Sequence, residues 1–157
     1  MKRKTAILLQ NIASFGLGFF LGGKALVNMI NTYKNRMDRA HTNLMILNEW
    51  LEYLYSGGII EKYFHTHEYT RVMVYGNGYI GKRLVQALSK TDIEVTAVMD
   101  KEILAGGSEG MIGIDSVIPD SDCIIVTPIF YWDAIYDMLR KRTSIPIISI
   151  QTVINDI

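Results

Sequence analysis

Along this chain the apolar residues follow three successive patterns, and each marks a different kind of element. Behind Lys2, Arg3 and Lys4, residues 5–23 contain no charged side chain, close to the ~20 residues that cross a bilayer as a helix. Gln10, Asn11 and four glycines at 16, 18, 22 and 23 temper its hydrophobicity. Two uses fit this stretch: a membrane-associated helix, spanning or lying in the interface, and an apolar helix buried in an oligomer. A signal peptide would share the basic start and apolar core, but the Ala-x-Ala type of cleavage site is missing. Basic residues stand on both sides, with Lys24, Lys34, Arg36 and Arg39 following, so charge alone does not set an orientation.

The second pattern is a heptad. Leu26, Ile30, Tyr33, Met37, Ala40, Leu44, Leu47, Leu51 and Leu54 succeed one another at alternating intervals of four and three, and no proline interrupts them. This spacing predicts one long helix that ends at Gly57-Gly58. Such a stripe is longer than a small domain can cover, so the preferred use of residues 24–57 is a two- or three-stranded coiled coil that makes a homo-oligomer. The alternative is an amphipathic helix folded back across a sheet or resting on a membrane.

From residue 58 onward, short apolar runs alternate with helical spacing. A short helix over Ile59–Phe64 is followed by a strand at Arg71–Tyr75 and a helix at Tyr79–Leu88. Strands at Ile93–Met99 and Asp122–Thr127, a helix at Trp132–Arg142 and a strand at Ile145–Ile150 complete the alternation, with a weak strand near Met111–Ile114. Strands separated by helices imply an α/β fold with a parallel sheet and right-handed crossovers. The chain thus divides into residues 1–23, 24–57 and 58–157.

Composition narrows the function classes. Hydrophobic residues make up 49% and charged ones 20% of the 157, as in folded globular proteins. Sixteen basic residues balance sixteen acidic ones, so no global field gathers nucleic acid, and no nucleic-acid partner is expected. The one cysteine, Cys123, lies in the run Cys123-Ile124-Ile125-Val126, which reads as a buried, inert thiol; a chain without internal disulfides suits a reducing, cytoplasmic setting. His65 and His67 stand two apart with no third ligand grouped near them, so they read as loop residues and no metal is expected.

The chemistry concentrates in Gly76-Asn77-Gly78-Tyr79-Ile80-Gly81, a GxGxxG turn set between an apolar strand and a helix. A lone GxGxxG is common, but this context is the dinucleotide fingerprint. Gly76 would make the tight turn, Gly78 would let the backbone approach a pyrophosphate, and Gly81 would let the helix pack on the strand, with the free N–H groups of the helix start facing the anion. The same turn could also survive as a fold element around an empty pocket. Asp100, nineteen residues after Gly81, stands where an acidic residue accepts the ribose hydroxyls and disfavours a 2′-phosphate, so NAD is expected over NADP. Asp100 reads equally as a solvated turn residue. Thr127, at the end of its strand, would lie beside the turn and either bond a ligand or cap the next helix.

From Trp50 onward the pattern resembles small Rossmann-like proteins encoded among bacterial capsule and exopolysaccharide biosynthesis genes. The likeness rests on Trp50-Leu51, the Tyr75-to-Gly81 turn, Val98-Met99-Asp100-Lys101, Asp122 to Thr127 and Ile148-Ser149-Ile150. It implies a Rossmann-like sheet, a ligand drawn from NAD, CoA and nucleotide-sugars, and a role near polysaccharide assembly. It does not imply an activity. No Tyr-x-x-x-Lys pair, Gly-x-Ser-x-Gly elbow, Cys-x-x-Cys or phosphate-binding Walker sequence is present, so no catalytic residue is assigned.

The expectation is therefore an oligomeric, nucleotide-binding accessory protein of bacterial surface-polysaccharide synthesis, cytoplasmic or held at the inner face of the membrane through residues 5–23. Its binding residues would be Gly76 to Gly81, Asp100 and Thr127. An NAD-using enzyme subunit completed by a partner, and a scaffold with a vestigial pocket, are the alternatives.

Overall fold

The computed structural model describes residues 2–55, 57–103 and 110–156, with side chains from Gly22 onward. The chain is an α/β protein: a long N-terminal helix, α1 (Lys2–Tyr55), precedes a five-stranded, all-parallel sheet flanked by helices. Two units can be distinguished, Met1–His41 and Thr42–Ile157. In the first, the described side chains of the heptad stripe are exposed, Leu26 by 53% and Met37 by 73%. Among the described residues no helix is long and apolar enough to cross a membrane. Most of the apolar stretch that raised that expectation, residues 5–21, lies outside the residues whose side chains are described.

The second unit begins with the last turns of α1. They end where Gly57 adopts φ +85°, the left-handed conformation that a glycine after a helix supplies without steric strain. Its N–H donates to Leu54 O and that of Gly58 to Tyr53 O, so two terminal carbonyls are satisfied. The Tyr53 ring lies against Gly58, and its hydroxyl accepts from Ile59 N–H and donates to Ile59 O. A short helix, α2 (Glu61–Thr66), then leads to the central strand β1 (Arg71–Tyr75).

The sheet follows from apolar runs that are covered on both faces. In β1, Val72, Met73 and Val74 are fully buried, and so are all four residues of β4 (Cys123–Val126), as expected of strands with helices above and below. With β2 (Glu94–Asp100), β3 (Met111–Gly113) and β5 (Ile147–Ser149) the order is β3-β2-β1-β4-β5. Tyr75 pairs with Met99 on one side and Val126 on the other. One face is covered by α2, α3 (Tyr79–Leu88), α5 (Ile150–Asn155) and the end of α1, which contributes Ile46 and Trp50. The other packs against α4 (Trp132–Arg140) through Ile135 and Leu139.

Three expected strands are shorter in the structure, the one expected at Asp122–Thr127 by one residue at each end. The run from Ile145 pairs only from Ile147, because Pro146 has no N–H to donate, although its carbonyl accepts from Ile124. The weak strand near Met111 is real but ends at Gly113.

Asp122 fastens the amino ends of β1 and β4. One carboxylate oxygen accepts from the N–H groups of Thr70 and Arg71, both at 2.7 Å, and from the Thr70 hydroxyl at 3.2 Å. These backbone donors hold its pKa below the usual value. A depressed carboxylate stabilises the fold above its unfolded pKa and loses that contribution as pH falls through the folded one. Stability is therefore expected to fall on acidification below about pH 4, and Asp122→Asn to remove part of that dependence. Denaturant titrations across pH check this; identical acid profiles would exclude the clamp.

Candidate functional site

At the carboxyl end of β1 the chain turns through Gly76 at φ +104°. A β-carbon there would meet Thr127 Oγ1 at 2.6 Å and the Pro128 ring at 2.8 Å. At Gly81, in the first turn of α3, it would stand 1.9 Å from Gly76 O. Both glycines are thus required by the fold, whatever binds. Gly78 is different: φ −75° and ψ −166° suit any residue, and among the described residues a β-carbon there would meet nothing within 4 Å. Among those residues no contact demands a glycine at this position, and it is exposed.

Gly78 is also the N-cap of α3, and no side chain caps the helix. The first-turn N–H groups have no partner within the helix, and the dipole places partial positive charge there. No acidic residue stands in that turn; Lys82 and Arg83 follow instead, both exposed. Cations at a helix start are unfavourable by themselves and are offset by an anion. The Arg83 guanidinium lies over the Tyr79 ring at 5.3 Å, and Tyr79 is 58% exposed.

The neighbouring strands brace the turn from both sides. Asp100, at the end of β2, accepts from Asn77 N–H at 2.6 Å through one oxygen and from Glu102 N–H at 3.0 Å through the other. Thr127, after β4, is buried, its hydroxyl within reach of the carbonyls of Tyr75 at 3.1 Å and Gly76 at 3.3 Å. The eight expected binding residues therefore fall into two sets. Asn77, Gly78 and Tyr79 are accessible at the turn. Gly76, Ile80, Gly81 and Thr127 are buried where β1, β4 and α3 meet, and Asp100 is half-buried with both oxygens engaged by the backbone.

Three cations near the turn were given no binding role from the sequence. Besides Lys82 and Arg83, Lys101 follows Asp100 and places Nζ 5.9 Å from the centre of the Tyr131 ring. Tyr131 and Phe130, stacked edge to face at 5.2 Å, belong to a short 3-10 helix after β4 (Ile129–Tyr131) and are each more than 40% exposed. Lys101 and Tyr131 stem from the two strands that flank β1, so they meet over its carboxyl end. The basic pair directly after the third glycine was the available signal.

Two hollows lie elsewhere. One of about 510 Å³ is lined by Tyr53, Gly57, Ile59, Lys62 and His65 at the end of α1. Another of about 350 Å³ lies before β4, among Val117, Asp120, Arg142 and Ile145. Neither sits at the carboxyl ends of the strands, where parallel sheets bind ligands at the switch of strand order; that switch is here between β1 and β4. The two histidines diverge: His65 pairs with Asp92 at 3.2 Å, whereas the His67 ring approaches Tyr63 O at 2.8 Å and stacks on Tyr69. Among the described residues no three His, Cys, Asp or Glu side chains gather.

Among the described residues the site shows no activated base or nucleophile. Burial, with the nearby Asp100 charge, raises the pKa of the Tyr75 phenol, so it stays neutral. Burial, and then the charge of Asp122, push the Cys123 thiol up to about 12. Cys123 is expected to resist iodoacetamide in the folded chain at pH 8 and to react fully in denaturant, as mass spectrometry would record; rapid labelling of the folded chain would contradict its burial. Gly81→Ala is expected to lower stability by about 2 kcal/mol or more through overpacking, measured by thermal denaturation. No family model, curated protein or solved structure matches this chain, so its site is read from its own residues.

Proposed function

We propose that this chain is a nucleotide-binding module whose turn Asn77-Gly78-Tyr79 receives the phosphates of its ligand. The observation that carries the reading is Gly78. Of the three glycines, it alone is unexplained by packing among the described residues, and a ligand backbone approaching the turn is what a missing side chain there accommodates. The uncapped start of α3, with Lys82 and Arg83 in its first turns, supplies attraction for an anion. The exposed rings of Tyr79, Phe130 and Tyr131 offer a surface for a planar base or a sugar.

NAD is the first ligand to test, with CoA and nucleotide-sugars behind it. Asp100 supports NAD over NADP, because its charge faces the side of the turn next to β2 and its oxygens keep lone pairs free beside the two N–H groups they serve. The accessory role in surface-polysaccharide assembly rests on the resemblance described above. No catalytic group joins the reading: among the described residues at the turn, the Tyr75 phenol is buried and Asp100 is engaged by the backbone, while the exposed Tyr79, Lys82 and Arg83 are read as ligand contacts.

A thermal-shift screen of the full chain against NAD, NADP, CoA, UDP and UDP-sugars tests this. A ligand present at a hundred times its Kd stabilises the fold by about 2.7 kcal/mol. Gly78→Val is expected to lower the unliganded stability by no more than about 1 kcal/mol, the cost of a poorer N-cap, and to abolish the shift. Retention of the shift in Gly78→Val, or no shift with any ligand, would overturn the proposal.

A further inference from the structure

The helix α1 carries two apolar faces in its last turns. Ile46 and Trp50, with Tyr53 packed beside them, belong to the core of the second unit. Leu44 and Leu51 lie about 100–160° round the helix from Ile46 and Trp50, and Leu54 about 40–80°, at 100° per residue; the three are 65%, 50% and 48% exposed. The face that anchors the unit is thus not the heptad stripe. From Leu26 to Leu54 every large side chain of the stripe except Leu47 keeps between 48% and 73% of its surface exposed.

We infer that this stripe is covered by the same stripe of a second copy of the chain. A period of 3.5 residues distinguishes such a partner from a flat surface. A straight helix of 3.6 residues per turn drifts about 20° per heptad against that period, so over four heptads the stripe turns through about 80°. A membrane plane cannot follow that rotation, whereas a second helix supercoils with it. The stripe is about 42 Å long at 1.5 Å per residue. A strip of that length and one helix, about 10–12 Å, wide covers on the order of 450 Å² in projection per copy, about 900 Å² for the pair, close to the ~1,000 Å² that marks a specific interface. Every copy presents the same stripe, so the contact is self-complementary and closes on itself. Ile46 and Trp50 are engaged off the stripe, and among the described stripe residues only Leu47 is shared with the core of the second unit.

Leu44 and Met45 make the test sharp, since they are adjacent, apolar and exposed by 65% and 52%, yet only Leu44 is on the stripe. Sedimentation equilibrium of the full chain should give a multiple of 17.8 kDa for wild type and Met45→Asp, and 17.8 kDa for Leu44→Asp. Circular dichroism should show Leu44→Asp still folded, because the residue is outside the core. A monomeric wild type, an unchanged mass for Leu44→Asp, or dissociation of Met45→Asp to the same extent would each overturn the inference. None of these outcomes bears on the nucleotide reading.

Discussion

The carbonyl oxygen of Gly76 and the α-carbon of Gly81 approach so closely that no side chain fits between them, and much of the carboxyl edge of the sheet is arranged around that contact. It lets α3 start directly over the end of β1, which aims the free N–H groups of the helix at the space above the strand. Pro128 and the Thr127 hydroxyl press on the same turn from β4, while the Asp100 carboxylate holds the Asn77 N–H from β2. Three adjacent strands thereby fix one six-residue loop. A mouth formed in this way is rigid before any ligand arrives, and rigidity lowers the entropy that binding must otherwise remove.

Charge at this edge is local. The chain has no net charge, yet Lys82, Arg83 and Lys101 gather around one helix start. Two of these cations lie over aromatic rings. A cation parked on a ring is partly desolvated and oriented already, so it can turn to a phosphate with less reorganisation than a freely solvated lysine. Asp100, at the same edge, keeps the field from being uniformly positive.

How legible this was in the sequence varied with the kind of signal. β1 and β4 were readable because burial on both faces demands an unbroken apolar run, and the end of α1 because Gly57-Gly58 admits a backbone that other residues resist. The GxGxxG turn was readable as a turn. What each glycine does was not, since the difference between Gly78 and Gly81 is a distance to other atoms, which spacing does not encode. Asp100 and Thr127 were placed beside the turn by topology, but their hydrogen bonds to its backbone depend on strand register. Ile46 and Trp50 escaped notice because a strong heptad masks a second face that shares its helix; only the docked sheet reveals which residues serve which.

The central position of β1 also has a consequence for the order in which the protein is made. Its neighbour β2 follows within about thirty residues, but β4 begins only at Cys123, some fifty residues later, and Asp122 arrives with it. Until the ribosome has released that segment, one edge of Val72-Met73-Val74 has no strand to pair with. An unpaired apolar strand is a template for pairing with other chains. The early-emerging turns of α1 that carry Ile46 and Trp50, with α2 beside them, are already available to shelter one face of this strand while its edge waits. The interval between Tyr75 and Cys123 is therefore the vulnerable stage of biogenesis, the point at which a nascent chain would most need a chaperone.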